Sequence, residues 1–421
     1  MTTVIIGGGL AGLAAAYRLA GKDKIILIEK EPELGGMASS YRIDGYHIEK
    51  YYHHIFASDK ELISLIEELG LRLEWLKGTT GYYFDGKIYP MNTPLEILAA
   101  LPLMDVIRLT WLVLKAKSIK DRTPFDNITA KEWIIDTAGE SVYNNFFLPL
   151  LQSKFGDNKE KVSAAWLLGR VQIRSNRGAK GERLGYMRGG FAALIEKMAQ
   201  YFRNKGGIIK QGNVSHIDIA GDSIRGVVVE GTLIECDRVI STVPPDVLEK
   251  IMETRLLGLN MEISYQGTAC ALFGLTGKIM DNIYWLNIKG DVPFGAVIEH
   301  TNFIPESDYG EGLLYATTYF QDKESVLWKS NDEEVIELYF KGIEKLFPGF
   351  RKKVKWWRLR RDMDTAPVYE VGYGKKILPY ETKIKGLFLA GMFSDSNYPE
   401  RSMNGSILAG FKCTEAVLKH S

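Results

Sequence analysis

The sequence predicts an α/β protein built on a parallel, doubly wound sheet, with an α+β domain inserted into it. Three observations carry that prediction. A strand, glycine turn, helix and second strand fill the first thirty residues; a glycine pair follows directly; stretches of similar character return mid-chain and at the end.

Val4-Ile5-Ile6 is a short run of β-formers. Gly7-Gly8-Gly9-Leu10-Ala11-Gly12 follows, then an Ala- and Leu-rich helix from Leu13 to Ala20, then Lys24 to Ile28, ending at Glu29-Lys30. This is the order of a complete dinucleotide-binding unit. Gly7 permits the tight turn, Gly9 lets backbone approach a pyrophosphate, and Gly12 lets the helix pack close to the strand. The helix N-terminus directs unpaired N–H groups and its positive dipole end at the phosphates. Glu29 is placed to accept hydrogen bonds from a ribose diol. Glycine turns are common, so specificity comes from the flanking strand, helix, second strand and acid.

Gly35-Gly36-Met37 stands just behind that acid, where a plain nicotinamide-binding domain has no need of glycine. Here the chain resembles the GG-doublet flavoproteins of the glutathione-reductase-like group. Within that group it resembles the amine oxidase, protoporphyrinogen oxidase and phytoene desaturase superfamily. The resemblance implies a Rossmann-like FAD-binding domain, with Glu29, Lys30, Gly35, Gly36 and Met37 along the cofactor. It continues at Gly189-Gly190, where the chain returns to that domain, and at Val214, whose backbone would meet the adenine. It ends at Gly386 to Gly391, a strand closing in Ala-Gly, and at Asn404-Gly405. These last two open a terminal helix whose dipole would stabilise the anionic edge of reduced flavin. Met392 stands where the superfamily often has an acid, with Asp395 nearby as a substitute.

The implied organisation is an FAD-binding domain from residues 1–74, 185–247 and 377–421, and a substrate domain from 75–184 and 248–376. Hairpins are expected at Asp44-Gly45 and Asp85-Gly86, and Asp59 is expected to cap a helix from Lys60 to Leu69. Ala269–Leu275, Tyr284–Ile288, Phe294–Glu299 and Leu313–Tyr319 read as strands of one antiparallel sheet walling the substrate cavity. Trp356 to Arg361 is the densest basic-aromatic stretch and reads either as an anion site or as a sheet edge with exposed arginines.

The 421 residues are 46% hydrophobic and 25% charged, with a formal net charge of +1. That is ordinary for a globular protein and gives no global electrostatic case for nucleic acid. The three cysteines have no metal-type spacing, and no metal is expected. No charged leader precedes the first strand, so a cytoplasmic protein is expected. The apolar run 95–114 reads as two amphipathic helices broken near Pro102. They would cover a core, line a tunnel or make a peripheral membrane contact beside Lys115, Lys117, Lys120 and Arg122. Oligomeric state is not set by the sequence.

The resemblance implies hydride transfer to flavin N5 from a C–N or C–C unit of a largely apolar or amine substrate: an isoprenoid, a porphyrinogen or an amine. His53, His54 and His300 are the histidines nominated for the active site. Tyr82, Tyr83, Trp285 and Tyr319 are nominated as an aromatic wall. The alternative is a non-redox flavoenzyme similar to UDP-galactopyranose mutase, on the strength of His54-Ile55-Phe56. Arg360, Arg361, Tyr398 and Arg401 would then serve a nucleotide diphosphate.

Overall fold

The computed structural model describes residues 1–93, 96, 101–174, 182–253 and 257–419. Leu95, Ile97 and Leu98 of the apolar run lie outside the described residues.

Strand β1 (Thr2–Ile6) is buried from Thr3 onward. A strand covered on both faces reads as a continuous apolar run, which is why Val4-Ile5-Ile6 does not alternate. It lies in the middle of a five-stranded parallel sheet. On one side is β2 (Lys24–Glu29) and then Ile208–Gln211; on the other are Arg238–Ser241 and Leu387–Leu389. Helix α1 (Leu10–Leu19) is buried at nearly every position. It is apolar all round because it is sandwiched between the sheet and the terminal helix Met403–Lys419. A Cβ on Gly410 of that helix would fall 2.4 Å from the Ala11 carbonyl oxygen.

Strands β3 (Ser40–Ile43) and β4 (Tyr46–Glu49) form the expected hairpin, with Asp44 and Gly45 both at positive φ. The Thr80–Phe84/Lys87–Pro90 hairpin turns the same way at Asp85-Gly86. Helix α2 (Lys60–Glu68) forms, but Asp59 does not cap it: its carboxylate turns back to accept from the Phe56 N–H at 2.8 Å. The Leu62 N–H is met instead by Asn404 Oδ1, at 2.9 Å, from the far end of the chain.

Seven strands make a second sheet, in the order 354–367, 265–275, 312–320, 296–299, 285–288, 80–84 and 87–90. The four central strands pair antiparallel as expected; the 80–84 strand, from much earlier in the chain, joins Trp285–Ile288 in parallel. Val354–Pro367 is the edge strand, so the basic-aromatic stretch is a sheet edge. All five strands of the parallel sheet come from 1–74, 185–247 and 377–421, and all seven of the larger sheet from 75–184 and 248–376.

Helix Leu103–Ser118 follows Pro102 as expected and lies on helix Ala130–Val142. Leu112 and Ala116 are buried, whereas Leu103, Met104, Ile107, Trp111 and Leu114 are exposed. At 100° per residue those five share one face. No helix among the described residues is long and apolar enough to cross a membrane.

A Cβ at position 12 would stand 1.9 Å from the Gly7 carbonyl oxygen, which is backbone and cannot yield; at position 9 it would meet nothing within 4 Å. Gly12→Ala is therefore expected to lower unfolding free energy by about 3 kcal/mol. Gly9→Ala, at an ordinary φ of −69°, is expected to stay within about 1 kcal/mol. Urea titrations of the two variants check the contrast.

Candidate flavin and substrate site

The end of β1 turns at Gly7, whose φ of +103° is closed to most side chains and whose Cβ would strike Thr242 Oγ1 at 2.5 Å. The second glycine pair docks on the first. The Gly35 N–H donates to the Gly8 carbonyl at 2.8 Å, and a Cβ on Gly36 would lie 3.2 Å from Gly9 Cα. Glu29 sits beneath both, accepting from the Gly8 N–H at 2.6 Å and the Glu31 N–H at 2.9 Å. The acid expected at a ribose therefore also fixes the loop, and carboxylate lone pairs remain for a diol. Lys30 beside it is exposed, and Met37 is half-buried against the N-terminal core. Open space at Gly9, the first-turn N–H groups of α1 and an acid at the end of β2 fit the diphosphate and ribose of FAD.

Gly391 is held from both sides. Its N–H donates to Ser394 Oγ at 3.0 Å, and its carbonyl accepts from Asn397 Nδ2 at 3.0 Å. Asp395, the substitute for the missing acid, is engaged by the Tyr380 hydroxyl and by Lys412 at 2.9 Å. Asn404 lies at the N-terminus of the last helix, but its side chain is committed to α2 through the Leu62 N–H and Glu61. Gly405 packs where a Cβ would be 2.4 Å from Asn397 Oδ1. Val214 is buried and opens strand Val214–Ala220, paired with Val229.

Strand alternation sorts the nominated wall. The registers place Tyr82, Trp285, Tyr315 and Tyr319 on one face of the large sheet. Tyr83 is on the other, in a separate core with Leu286 and Ile288. Adjacent positions of a strand cannot both face one cavity, so Tyr83 leaves the wall. The same rule separates the arginines: Arg360 pairs in register with Cys270 and Arg361 with Ala269, on opposite faces. Arg360 is bidentate to Asp362, and Arg361 donates to the carbonyls of Leu327 and Ser330 and pairs with Asp332. The Tyr398 hydroxyl donates to Asp126. Of the four groups nominated for a diphosphate, only Arg401 makes no hydrogen bond or ion pair among the described residues.

The histidines also separate. His53 is half-buried, with Nδ1 2.6 Å from the Tyr51 carbonyl, and burial together with Arg401 pushes its pKa down to about 4. His54 Nδ1 lies 3.1 Å from the Tyr284 hydroxyl, and its ring is edge-on to Phe56. Beside them Tyr52 meets Trp285 edge-on at 4.8 Å. His300 is only 2% exposed, bonded to the Tyr309 hydroxyl at 2.7 Å and packed on Tyr186; burial pushes it down to about 3. Among the described residues no group of His, Cys, Asp and Glu could hold a metal ion.

Sequence reasoning missed Glu49. Its buried carboxylate accepts from the Phe191 N–H at 2.8 Å and the Tyr186 hydroxyl at 2.7 Å, capping helix Gly190–Asn204 from a distance. Its carbonyl accepts from the Tyr315 hydroxyl at 2.7 Å. Gly190 is glycine because a Cβ there would lie 2.5 Å from that carboxylate. A lone acid at the end of a hairpin strand carries no signal of this; the Gly189-Gly190 pair facing it does.

A glycine-lined dinucleotide cradle sharing one core with a sheet-walled aromatic face defines the class: an FAD-dependent oxidoreductase. The chain belongs to the family of flavin-containing amine oxidoreductases, whose sequence profile matches residues 10–418. It is 22% identical over 486 aligned positions to a probable zeta-carotene desaturase of Synechococcus elongatus, covering 100% of this chain and 99% of that one. A proposed protoporphyrinogen oxidase solved from Exiguobacterium sp. 255-15 shares the fold with a TM-score of 0.79 at 20% identity, covering 100% of this chain and 99% of the other. Reduced UDP-galactopyranose mutase shares it with a TM-score of 0.75 at 19% identity, covering 100% and 96%.

His300 supplies a pH prediction. Its folded pKa lies below the ordinary 6.5, so its contribution is complete above pH 6.5 and is lost as pH falls toward 3. Between pH 7 and 4 the stability difference between the native protein and His300→Gln is expected to shrink by about 2–3 kcal/mol. Denaturant titrations at the two pH values measure it.

Proposed function

We propose that this enzyme takes a hydride from a C–N or C–C unit of a largely apolar or amine substrate held against the face of Tyr82, Trp285, Tyr315 and Tyr319. The observation that carries the reading is that Trp285 and Tyr315 of this face share one buried core with α1 and the residues flanking the glycine pair, and that Tyr52 of that core meets both rings edge-on. FAD, when bound, supplies the hydride acceptor. The chain's part is to bind, orient and exclude water. Gly7, Gly9, Gly12, Glu29, Lys30, Gly35, Gly36 and Met37 would hold the nucleotide half of the cofactor, with Val214 at the adenine. Gly391, Asn404 and Gly405 would serve the flavin half. His53 is neutral near pH 7, and a neutral amine or a C–H donor requires no stronger base from it. His300, sealed against Tyr309, packs beside Tyr315 of the wall. The mutase reading is the weaker, because Arg361 and Tyr398 are engaged elsewhere.

Helix Leu103–Ser118 supports contact with an anionic lipid surface, the source an apolar substrate would need. Its exposed apolar face is flanked by Arg108, Lys115 and Lys117, the pattern of an interfacial helix. Leu112 is buried and takes no part.

The FAD-loaded protein, mixed without air with a polyprenoid, a porphyrinogen or an amine, is expected to lose its flavin absorbance with one of these classes. Retention of full absorbance with all three, together with ring contraction of a UDP-sugar by the reduced protein, would transfer the assignment to the mutase class. Trp111→Glu with Leu114→Glu is expected to abolish sedimentation with anionic liposomes while leaving flavin content intact; sedimentation unchanged in the double variant would remove the lipid contact.

A further inference from the structure

Three cations from three separate elements converge beside the proposed substrate face. Lys154, in helix Leu148–Phe155, lies 3.0 Å from Glu400 Oε1, and Arg170, in helix Ala164–Arg174, lies 3.6 Å from the same atom. Arg401 is the next residue along. Gly169 brings the second helix onto this loop, since a Cβ there would be 2.9 Å from Pro399. Lys154 also sits 4.8 Å above the Trp166 ring.

Arg401 is the group left over. It is half-buried, its Nε is buried without a partner, and among the described residues it forms no hydrogen bond or ion pair. Glu400 Oε2 is likewise buried and unpartnered. One carboxylate therefore faces three cations, two positive charges more than it can balance. An arginine withdrawn from water without a partner is costly, because the guanidinium has five donors to satisfy. The neighbouring phenol responds to this field. Burial acts to raise Tyr319, yet Arg401 and Lys154, together with the Tyr52 hydrogen bond and Arg170, bring it below its ordinary value. Tyr319 also ties the cluster to the wall, because it shares its sheet face with Trp285 and Tyr315.

We propose that Lys154, Arg170 and Arg401 form a subsite for an anionic group, a carboxylate or a phosphate, carried by the substrate. This rests on the reading that the face of Tyr319 and Trp285 receives substrate, and it deepens that reading: the substrate is an apolar acid, and a protonated amine is repelled. Arg401 supplies a planar fork for two acid oxygens. Lys154 and Arg170, already bridged by Glu400, set the field around it.

The test uses the FAD-loaded protein, with benzoate, phenyl phosphate and the neutral isostere benzyl alcohol as probes. Binding is read by the flavin difference spectrum and by calorimetry. At least one anion is expected to bind about tenfold or more tightly than the alcohol. Preference for benzoate assigns a carboxylate substrate, and preference for phenyl phosphate a phosphorylated one. Arg401→Gln is expected to weaken the preferred anion about tenfold with flavin content unchanged. Glu400→Gln is expected to tighten it severalfold, because it removes the competing carboxylate; a damaged fold cannot produce that gain. Equal affinity for anion and alcohol, or a Glu400→Gln variant that binds anion no better, overturns the subsite while intact flavin bands leave the oxidoreductase reading standing. A protein that takes up no FAD overturns both.

Discussion

The architecture depends on one contact without side chains: the approach of Gly12 to the Gly7 carbonyl. Because α1 lies that close to the end of β1, its first turn opens directly above the strand. The Gly35-Gly36 loop can then pair with Gly8 and lie over Gly9. Each added Cβ in this group would meet backbone or a packed side chain, except at Gly9, where space is open. The cradle is shaped by subtraction, and the place where an added atom would touch no protein is the place where a ligand fits.

A second constraint couples the cradle to the aromatic wall. Glu49 brings β4, the N-terminus of helix Gly190–Asn204 and Tyr315 of the large sheet to one carboxyl-bearing residue. Burial raises the carboxyl above its usual range, and the bonds from Phe191 and Tyr186 pull against that rise. The helix N-terminus supplies positive partial charge as well as a donor. The wall and the cradle are thus held in register through a polar link inside an apolar core. Such a link is sensitive to the loss of either partner.

The fold was legible because its signals are local. The βαβ unit, both Asp-Gly hairpins and the central strands of the large sheet each follow from patterns of a few residues. The errors arose where a side chain's partner lies far away in the chain. Asp59 occupies a cap position, yet Asn404 satisfies the helix. Tyr82 and Tyr83 stand together in the sequence and apart in space, as do Arg360 and Arg361, because strand period separates neighbours. Glu49, Lys154 and Arg170 carry no pattern of their own; only assembly shows what they face.

Helix Met403–Lys419 lies on α1 and lends Asn404 to α2, while Leu387–Leu389 completes the parallel sheet. On a ribosome, the first βαβ unit emerges hundreds of residues before the strand and helix that cover it. Until residues 403–419 have emerged, the flank of α1 that they cover has no permanent neighbour. High contact order of this kind slows folding and prolongs exposure of sticky surface. The final thirty-odd residues therefore act as a latch on a structure begun at the opposite terminus. Loss of that latch would register in the cell as chaperone retention and proteolysis long before any defect in chemistry could be assayed.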